Sequence, residues 1–557
     1  MSAAIPAGPA RRFDTDRLAV FALAASAIVP LVLFVVVPLV AILRLSFVLP
    51  DGGIGLSNYT REFSDPKFTR IVGNSFAVAA TTTAITVVLA YAFAWALRRT
   101  AMPFKRTCGA IALLPLYAPS LVQALGILFL LGRNGIVNRT FELGIDIYGF
   151  WGIVIADVLY SFPHAFLILS AALAIGDARL YESARMLGAG AGRMFRTITL
   201  PSTRYGLASA VFVVFTIVIT DFGNPMVIGA DYNVLATEIY NQVSGQGRME
   251  LGAVIGVVLL VPAAVAVVVE RMVMRAHRAA ITDRSQPLAV GRSAVRDRAA
   301  FAFAALVCAA IASIVVIVVV ASFVTLWPYN MSLSLRHYRF EVQNGVAPLW
   351  TSVVVSFMAA AIGAVATVAA ACVARWMRPA QAQTLSFLSM LPAAVPGMVL
   401  GLGYLLVFNH PDNPLVFLYG TLAILAICNV YHYHAQGYLI ATTSVSQVSR
   451  VFDETSTCLG AGRLRTLRSV LLPIIAPSIA AIAMFYFVRS MVTLSAVIFL
   501  VTPQTQLAAV SVLLLDDSGN QNQAAAFSVC IMLIVAAALG AFHLALRAVP
   551  RLRPAQT

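Results

Sequence analysis

The chain has 557 residues, 60% of them hydrophobic and 11% charged, with a mean hydropathy of +0.88 and a formal net charge of +15. A soluble domain carries about 25% charged residues, so the composition excludes an ordinary soluble protein and selects the membrane class. The basic excess is no sign of nucleic-acid binding: it is almost all arginine, with lysine only at Lys67 and Lys105, and it falls in short loops between apolar runs.

A helix needs about 20 mostly apolar residues to cross a bilayer, and about twelve segments qualify. In chain order the first six are 19–46, 71–97, 109–132, 149–172, 205–229 and 250–274. The second six are 299–327, 349–375, 384–408, 414–441, 474–501 and 523–546. Arg11, Arg12 and Arg17 precede the first run, which is too long for a signal-peptide core. The expected organisation is therefore a six-span half at 1–274, a polar linker at 275–298 and a second six-span half at 299–557. The linker holds Arg275, Arg278, Arg284, Arg292, Arg296 and Arg298. Six cysteines, at 108, 308, 372, 428, 458 and 530, show no C-x-x-C and read as small apolar packing residues.

Arginine placement sets the expected orientation. With the N-terminus inside, roughly three quarters of the 38 Lys and Arg fall in the N-tail, 98–107, 173–204, the linker, 375–383, 442–473 and the C-tail. Both termini and the two loops at 173–204 and 442–473 are thus expected in the cytoplasm.

Those two loops repeat each other. The first carries Glu182-Ser183-Ala184, Gly188 and Leu200-Pro201; the second carries Glu454-Thr455-Ser456, Gly460 and Leu472-Pro473, each 272 residues later. Residues 180–187 suit a short amphipathic helix, ended by Gly188 in a left-handed conformation, with Pro201 in the first turn of the next helix. Arg193 and Arg196, and then Arg463, Arg465 and Arg468, follow the glycines and suit a cytoplasmic face against lipid phosphates. The match extends further. Leu114-Pro115, Pro119 and Gly126 recur 277 residues on as Leu391-Pro392, Pro396 and Gly403, and Leu235-Ala236 recurs at Leu507-Ala508. Six spans per half make the repeat parallel, about an axis along the membrane normal.

This doubled Glu–Gly–Pro signature resembles the "EAA" loop of ATP-binding-cassette (ABC) importer permeases, and the chain resembles two such permeases fused. The resemblance implies an all-α membrane protein of the type I importer permease fold in the bacterial inner membrane. It implies that Glu182, Ser183, Ala184, Gly188 and Pro201, with Glu454, Thr455, Ser456, Gly460 and Pro473, couple to two cytoplasmic ATPase subunits. A periplasmic or extracellular solute-binding protein would deliver the cargo, and ATP and magnesium would sit on the partner ATPase. The chain itself lacks G-x-x-x-x-G-K-[ST], and no lysine follows the glycines at 188–192. No cofactor, catalytic residue or metal site is therefore expected on it.

Charge inside a span is a functional candidate by default. Arg489 lies in the fifth span of the second half, and Asp221 lies late in the matching span of the first. The position matching Arg489 is Ile217, one turn from Asp221, so the two are candidates either for a structural ion pair or for a pathway role. Gly223 and Pro225, with Asn224 between them, are expected to break or bend that span. Broken helices at membrane depth occur only where they line a cavity or are buried in protein. In related permeases the fifth span lines the pathway, which adds Thr493 and Ser495 of the second half as gate candidates. Pro115/Pro119 and Pro392/Pro396 are expected to kink the third spans. His432 and His434, two apart, point to different helix faces and read as packing rather than ligands.

The resemblance is to the fused permeases of the ferric-iron, thiamine and 2-aminoethylphosphonate import group. It is carried by Asp221-Phe222-Gly223-Asn224-Pro225, Leu235 to Tyr240, Val395-Pro396-Gly397 through Gly403, and Val492 to Leu500. The last stretch, with Leu515-Asp516-Asp517, looks most like the 2-aminoethylphosphonate branch. The expected solute is accordingly 2-aminoethylphosphonate, with ferric iron as the alternative. A twelve-span secondary transporter is the competing class. Its ion coupling would have to use Asp157 and Asp221, and it would have no reason to repeat the loop.

Overall fold

The computed structural model describes residues 10–49, 51–175, 177–280, 291–340 and 345–548. Residues 281–290 of the expected linker, Arg284 included, lie outside them, and the helices Met249–Ala280 and Ala294–Phe323 run into the linker from its two sides. Nearly all described secondary structure is helical, apart from one antiparallel hairpin of Val324–Leu326 with Asn330–Leu333.

Among the described residues, ten helices are long and apolar enough to cross a membrane. An eleventh span arises if the pair Pro379–Ala394 and Gly397–Phe408, bent by 106°, counts as one. The segment expected at 414–441 contains no single long helix. It is split at Tyr433 into Leu422–His432 and His434–Ser446. The long helices form because in lipid each must satisfy its own backbone hydrogen bonds. Their ends carry ordinary signals. Pro66–Arg99, for example, opens with Pro66 after Asp65, whose Oδ1 accepts from Lys67 N at 2.8 Å.

The chain folds as two compact units, and each draws on both halves of the sequence. One comprises Leu43–Leu349 with Leu507–Met532; the other comprises Met1–Ile42, Trp350–Gln506 and Leu533–Thr557. In the first unit, Ala294–Phe323 packs on Leu121–Leu131, where Gly126 meets Ile314. In the second, the chain's first span packs on Gly397–Phe408, where Gly403 meets Pro38. Phe34 of that span lies 5.5 Å from the Phe408 ring and 5.4 Å from Tyr431. The repeated glycine of each third span is therefore the seat for a first span.

A Cβ at Gly126 would lie 2.6 Å from Ile314 Cγ2 and 3.0 Å from its carbonyl oxygen. Gly126→Val is accordingly expected to destabilise the fold by about 2 kcal/mol through overpacking. Thermal melting of the variant in nanodiscs measures this, and an unchanged midpoint would remove the seat.

Candidate functional site

Each repeated loop holds a short surface helix that ends in the same way. In the first loop, Ala178–Met186 is capped by Asp177, whose Oδ1 accepts from Arg179 N at 3.1 Å. Gly188 then takes φ +75°. Its N–H donates to Arg185 O at 2.9 Å, and Ala189 N donates to Ala184 O at 2.9 Å. In the second loop, Val451–Cys458 is followed by Gly460 at φ +70°. Gly460 N donates to Thr457 O at 3.0 Å, and Ala461 N donates to Ser456 O at 2.9 Å. Both ends are Schellman motifs, which require a residue tolerant of left-handed φ.

Glu182, Ser183, Glu454 and Thr455 are exposed, while Ala184 and Ser456 are half-buried. At the tips, Met186 and Leu187 are 89% and 85% exposed and Leu459 is 80% exposed.

Pro201 and Pro473 lie in the first turn of the α-helices Leu200–Ile219 and Leu472–Val492, as expected, but those helices do not begin the segment. Each helical segment already starts well before its proline, at Ala191 and Arg463, and runs on to Ile219 and Val492. A π-helical turn, Phe195–Thr199 or Leu467–Leu471, precedes Leu200-Pro201 and Leu472-Pro473. Proline has no N–H to give the preceding turn, and its ring collides with the carbonyl four residues back. The wider π turn accommodates it without ending the helix.

Two buried arginines tie these loops to the second spans, and sequence reasoning missed both. Arg99, the last residue of Pro66–Arg99, donates to Leu173 O at 2.9 Å and stacks 5.0 Å from the Tyr181 ring. Tyr181 in turn hydrogen-bonds Thr199 at 2.9 Å. In the second half, Arg375 Nε donates to Asp453 Oδ2 at 2.6 Å. Its other nitrogens reach the carbonyls of Val445, Val448 and Ser449 at 3.0, 2.8 and 3.0 Å. Both arginines lie within the last two residues of a second span, and that placement is the signal the sequence offered.

The far end of Pro66–Arg99, about 50 Å away at 1.5 Å per residue, borders a cavity of about 640 Å³. Arg61, Lys67, Arg248, Glu62, Asp65 and Glu238 line it. Lys67 lies 3.7 Å from Glu238 there.

The fifth spans are both broken. In the first half the helix ends at Ile219, and Gly223–Ile228 starts after a break at 220–222. Gly223 and Pro225 thus lie in the short second helix rather than at the break. Asp221 Oδ2 accepts from Asn224 N at 3.0 Å, and Asn224 Nδ2 donates to the fully buried Asp157 at 2.8 Å. Asn224 thereby brings Asp157 and Asp221 into one buried cluster.

In the second half the helix ends at Val492 with no proline at its end, and residues 495–500 form a series of turns. Thr493 Oγ1 lies 2.6 Å from Arg489 O and 3.0 Å from Tyr433 Oη. The half-buried Arg489 stacks 5.5 Å from the Tyr433 ring. Arg489 and Asp221 belong to different compact units. His434 is buried and stacked between Tyr431 and Tyr438, and His432 packs against Tyr433. Among the described residues, no three His, Cys, Asp or Glu side chains are grouped to hold a metal ion.

Comparison with known proteins adds the following. The family model "Binding-protein-dependent transport system inner membrane component" matches twice, at residues 101–279 and 366–553. The ferric transport system permease protein FbpB of Actinobacillus pleuropneumoniae is 27% identical over 532 residues, covering 90% of this chain and 75% of that one. A putative ferric transport system permease protein of Haemophilus influenzae is 27% identical over 452 residues, covering 78% and 71%. The molybdenum transport permease ModB of Escherichia coli is 36% identical over 134 residues, covering 24% and 58%. A chain of a bacterial alginate ABC transporter superposes with a TM-score of 0.41 at 18% identity, covering 49% of this chain and 99% of that one.

Proposed function

The chain belongs to the family of binding-protein-dependent transport system inner membrane components, a multi-pass permease with two copies of the family domain, and on that premise we propose that it carries ferric iron inward by ATP-driven alternating access. The observation that carries the coupling half of this reading is the twinned surface helix. Two helices 272 residues apart end in the same Schellman turn and hold out an apolar tip. Each is the lever of one ATPase subunit, with Glu182 and Glu454 at the contact. ATP and magnesium are bound by those subunits. A solute-binding protein delivers the cargo at the opposite face, where the cavity at Lys67 and Glu238 lies.

The ferric reading is supported by the names of the two relatives that span most of this chain. A second reading, an anionic organophosphonate such as 2-aminoethylphosphonate, has one observation in its favour: the half-buried Arg489 beside Tyr433 at the fifth-span break. Membership of the family leaves the ion-coupled secondary transporter without support.

Deleting the gene in its own host is expected to abolish ATP-dependent accumulation of radiolabelled ferric iron. Intact iron accumulation with lost growth on 2-aminoethylphosphonate as phosphorus source would replace the ferric reading by the second one.

Orientation has its own test. Cys458, at the second lever, is the exposed cysteine of the six. A membrane-impermeant maleimide is expected to label it in inside-out vesicles and not in intact spheroplasts. The reverse pattern would place the lever outside and end the coupling proposal.

A further inference from the structure

In each half the break of the third span touches the break of the fifth. In the unit holding Leu43–Leu349, Gly223 opens the helix Gly223–Ile228 and faces Ser120, which directly precedes Leu121–Leu131. A Cβ added to Gly223 would sit closer to Ser120 Oγ than the 3.0 Å that real Cβ atoms keep, and 3.3 Å from Ser120 Cβ. In the other unit, Gly397 opens Gly397–Phe408 and faces Ser495, just past the end of Leu472–Val492. A Cβ on Gly397 would again fall inside 3.0 Å of the serine Oγ, and 3.1 Å from Ala496 N.

The two contacts are the same contact with its residues exchanged. Ser120 matches Gly397 at the third-span offset of 277, and Gly223 matches Ser495 at the fifth-span offset of 272. The serine thus lies on the third span in one half and on the fifth in the other. Neither glycine has a positive φ, so backbone conformation does not demand glycine at either place; close packing does, because a serine hydroxyl could turn aside but Ser120 Cβ at 3.3 Å and Ala496 N at 3.1 Å could not. The seat admits one hydroxymethyl group, from either side. Serine on both sides overfills it and glycine on both sides leaves it open.

We propose that this glycine–serine contact is a joint that holds the fifth-span break against the third-span break in each half. Ser120 with Gly223, and Gly397 with Ser495, are positioning residues for the translocation path. The functional part rests on reading the fifth-span breaks as pathway-lining; the space constraint does not.

Compensating substitutions test it. Gly223→Ser alone is expected to cut uptake of radiolabelled ferric iron at least about tenfold, because an overfilled core position displaces backbone. Adding Ser120→Gly to it restores uptake to within about twofold, since the pair then matches the second half. Gly397→Ser with and without Ser495→Gly should behave likewise. Ser120→Gly alone, which removes atoms and adds none, is expected to keep normal protein levels yet admit solute in energy-depleted vesicles, a leak that a purely structural contact would not produce.

Wild-type uptake by Gly223→Ser, or a folded exchanged pair as inactive as the single variant, would overturn the joint. So would a tight Ser120→Gly variant. Where Gly223→Ser is not produced at all, recovery of its level and melting midpoint by Ser120→Gly supports the joint, and failure to recover overturns it. Melting of the exchanged pair in nanodiscs reads the space constraint without any solute, so a wrong solute leaves that result standing.

Discussion

Arg375→Ala is expected to reduce transport at least about tenfold and to destabilise the second half by about 3 kcal/mol, the range seen when one partner of a buried ion pair is removed. Arg375 is 7% exposed and Asp453 24%. The guanidinium makes four hydrogen bonds, one to Asp453 and three to the carbonyls that lead into the helix Val451–Cys458. Alanine would strand the carboxylate and release those carbonyls together, so the lever helix would lose its hold on the second span. Lysine keeps the charge but not the planar fork, and Arg375→Lys should recover only part of the loss. Melting in nanodiscs and ATP-driven uptake report the two effects separately. An Arg375→Ala protein with lowered melting but native uptake would show that the arginine only anchors a loop, and native values of both would remove the anchor as well. Arg99, at the end of the other second span, reaches Leu173 O and the Tyr181 ring and forms no ion pair among the described residues, so Arg99→Ala should cost less.

These arginines also mark the limit of what the sequence makes legible. Spans are legible because crossing lipid requires a long apolar run, and every helix that meets the length and composition test lies on a run visible in the sequence. The breaks at Pro115/Pro119 and Pro392/Pro396 are legible for the same local reason: the first proline of each pair lies in a 3-10 turn and the second follows it, and the second-half span bends by 106° there. The Gly188 and Gly460 helix ends follow from the one conformation that glycine takes cheaply. What is not legible depends on partners in space. Nothing local announces the break at Tyr433, which has neither proline nor glycine beside it. An arginine at the end of a span reads as a positive-inside residue whether it faces water or, like Arg99 and Arg375, is buried under a loop. The seating of each first span on the glycine of a third span from the other half of the sequence is equally hidden, because apolar periodicity says that a face is buried but not by what.

The largest effect on assembly should come from residues whose side chains stand out from the folded chain. Leu187 and Leu459 are exposed at the ends of the two levers, each directly before a left-handed glycine. Burying one leucine at a partner surface is worth about 2 kcal/mol, so Leu187→Asp and Leu459→Asp should each weaken capture of the proposed ATPase at least about tenfold. The sites lie in separate loops, so the effects should combine in the double variant. The variants should nonetheless melt as the wild type does, since no packing inside the chain is lost. The levers also differ in a way that the single variants can read. Met186 stands beside Leu187, whereas the matching position beside Leu459 is Cys458. The first lever therefore keeps an apolar neighbour when its leucine is replaced, and Leu459→Asp should be the more damaging single change. Co-purification of the ATPase with each variant, alongside ATP-driven uptake, measures this. Full capture by the double variant would mean that the motor grips the chain somewhere other than these tips.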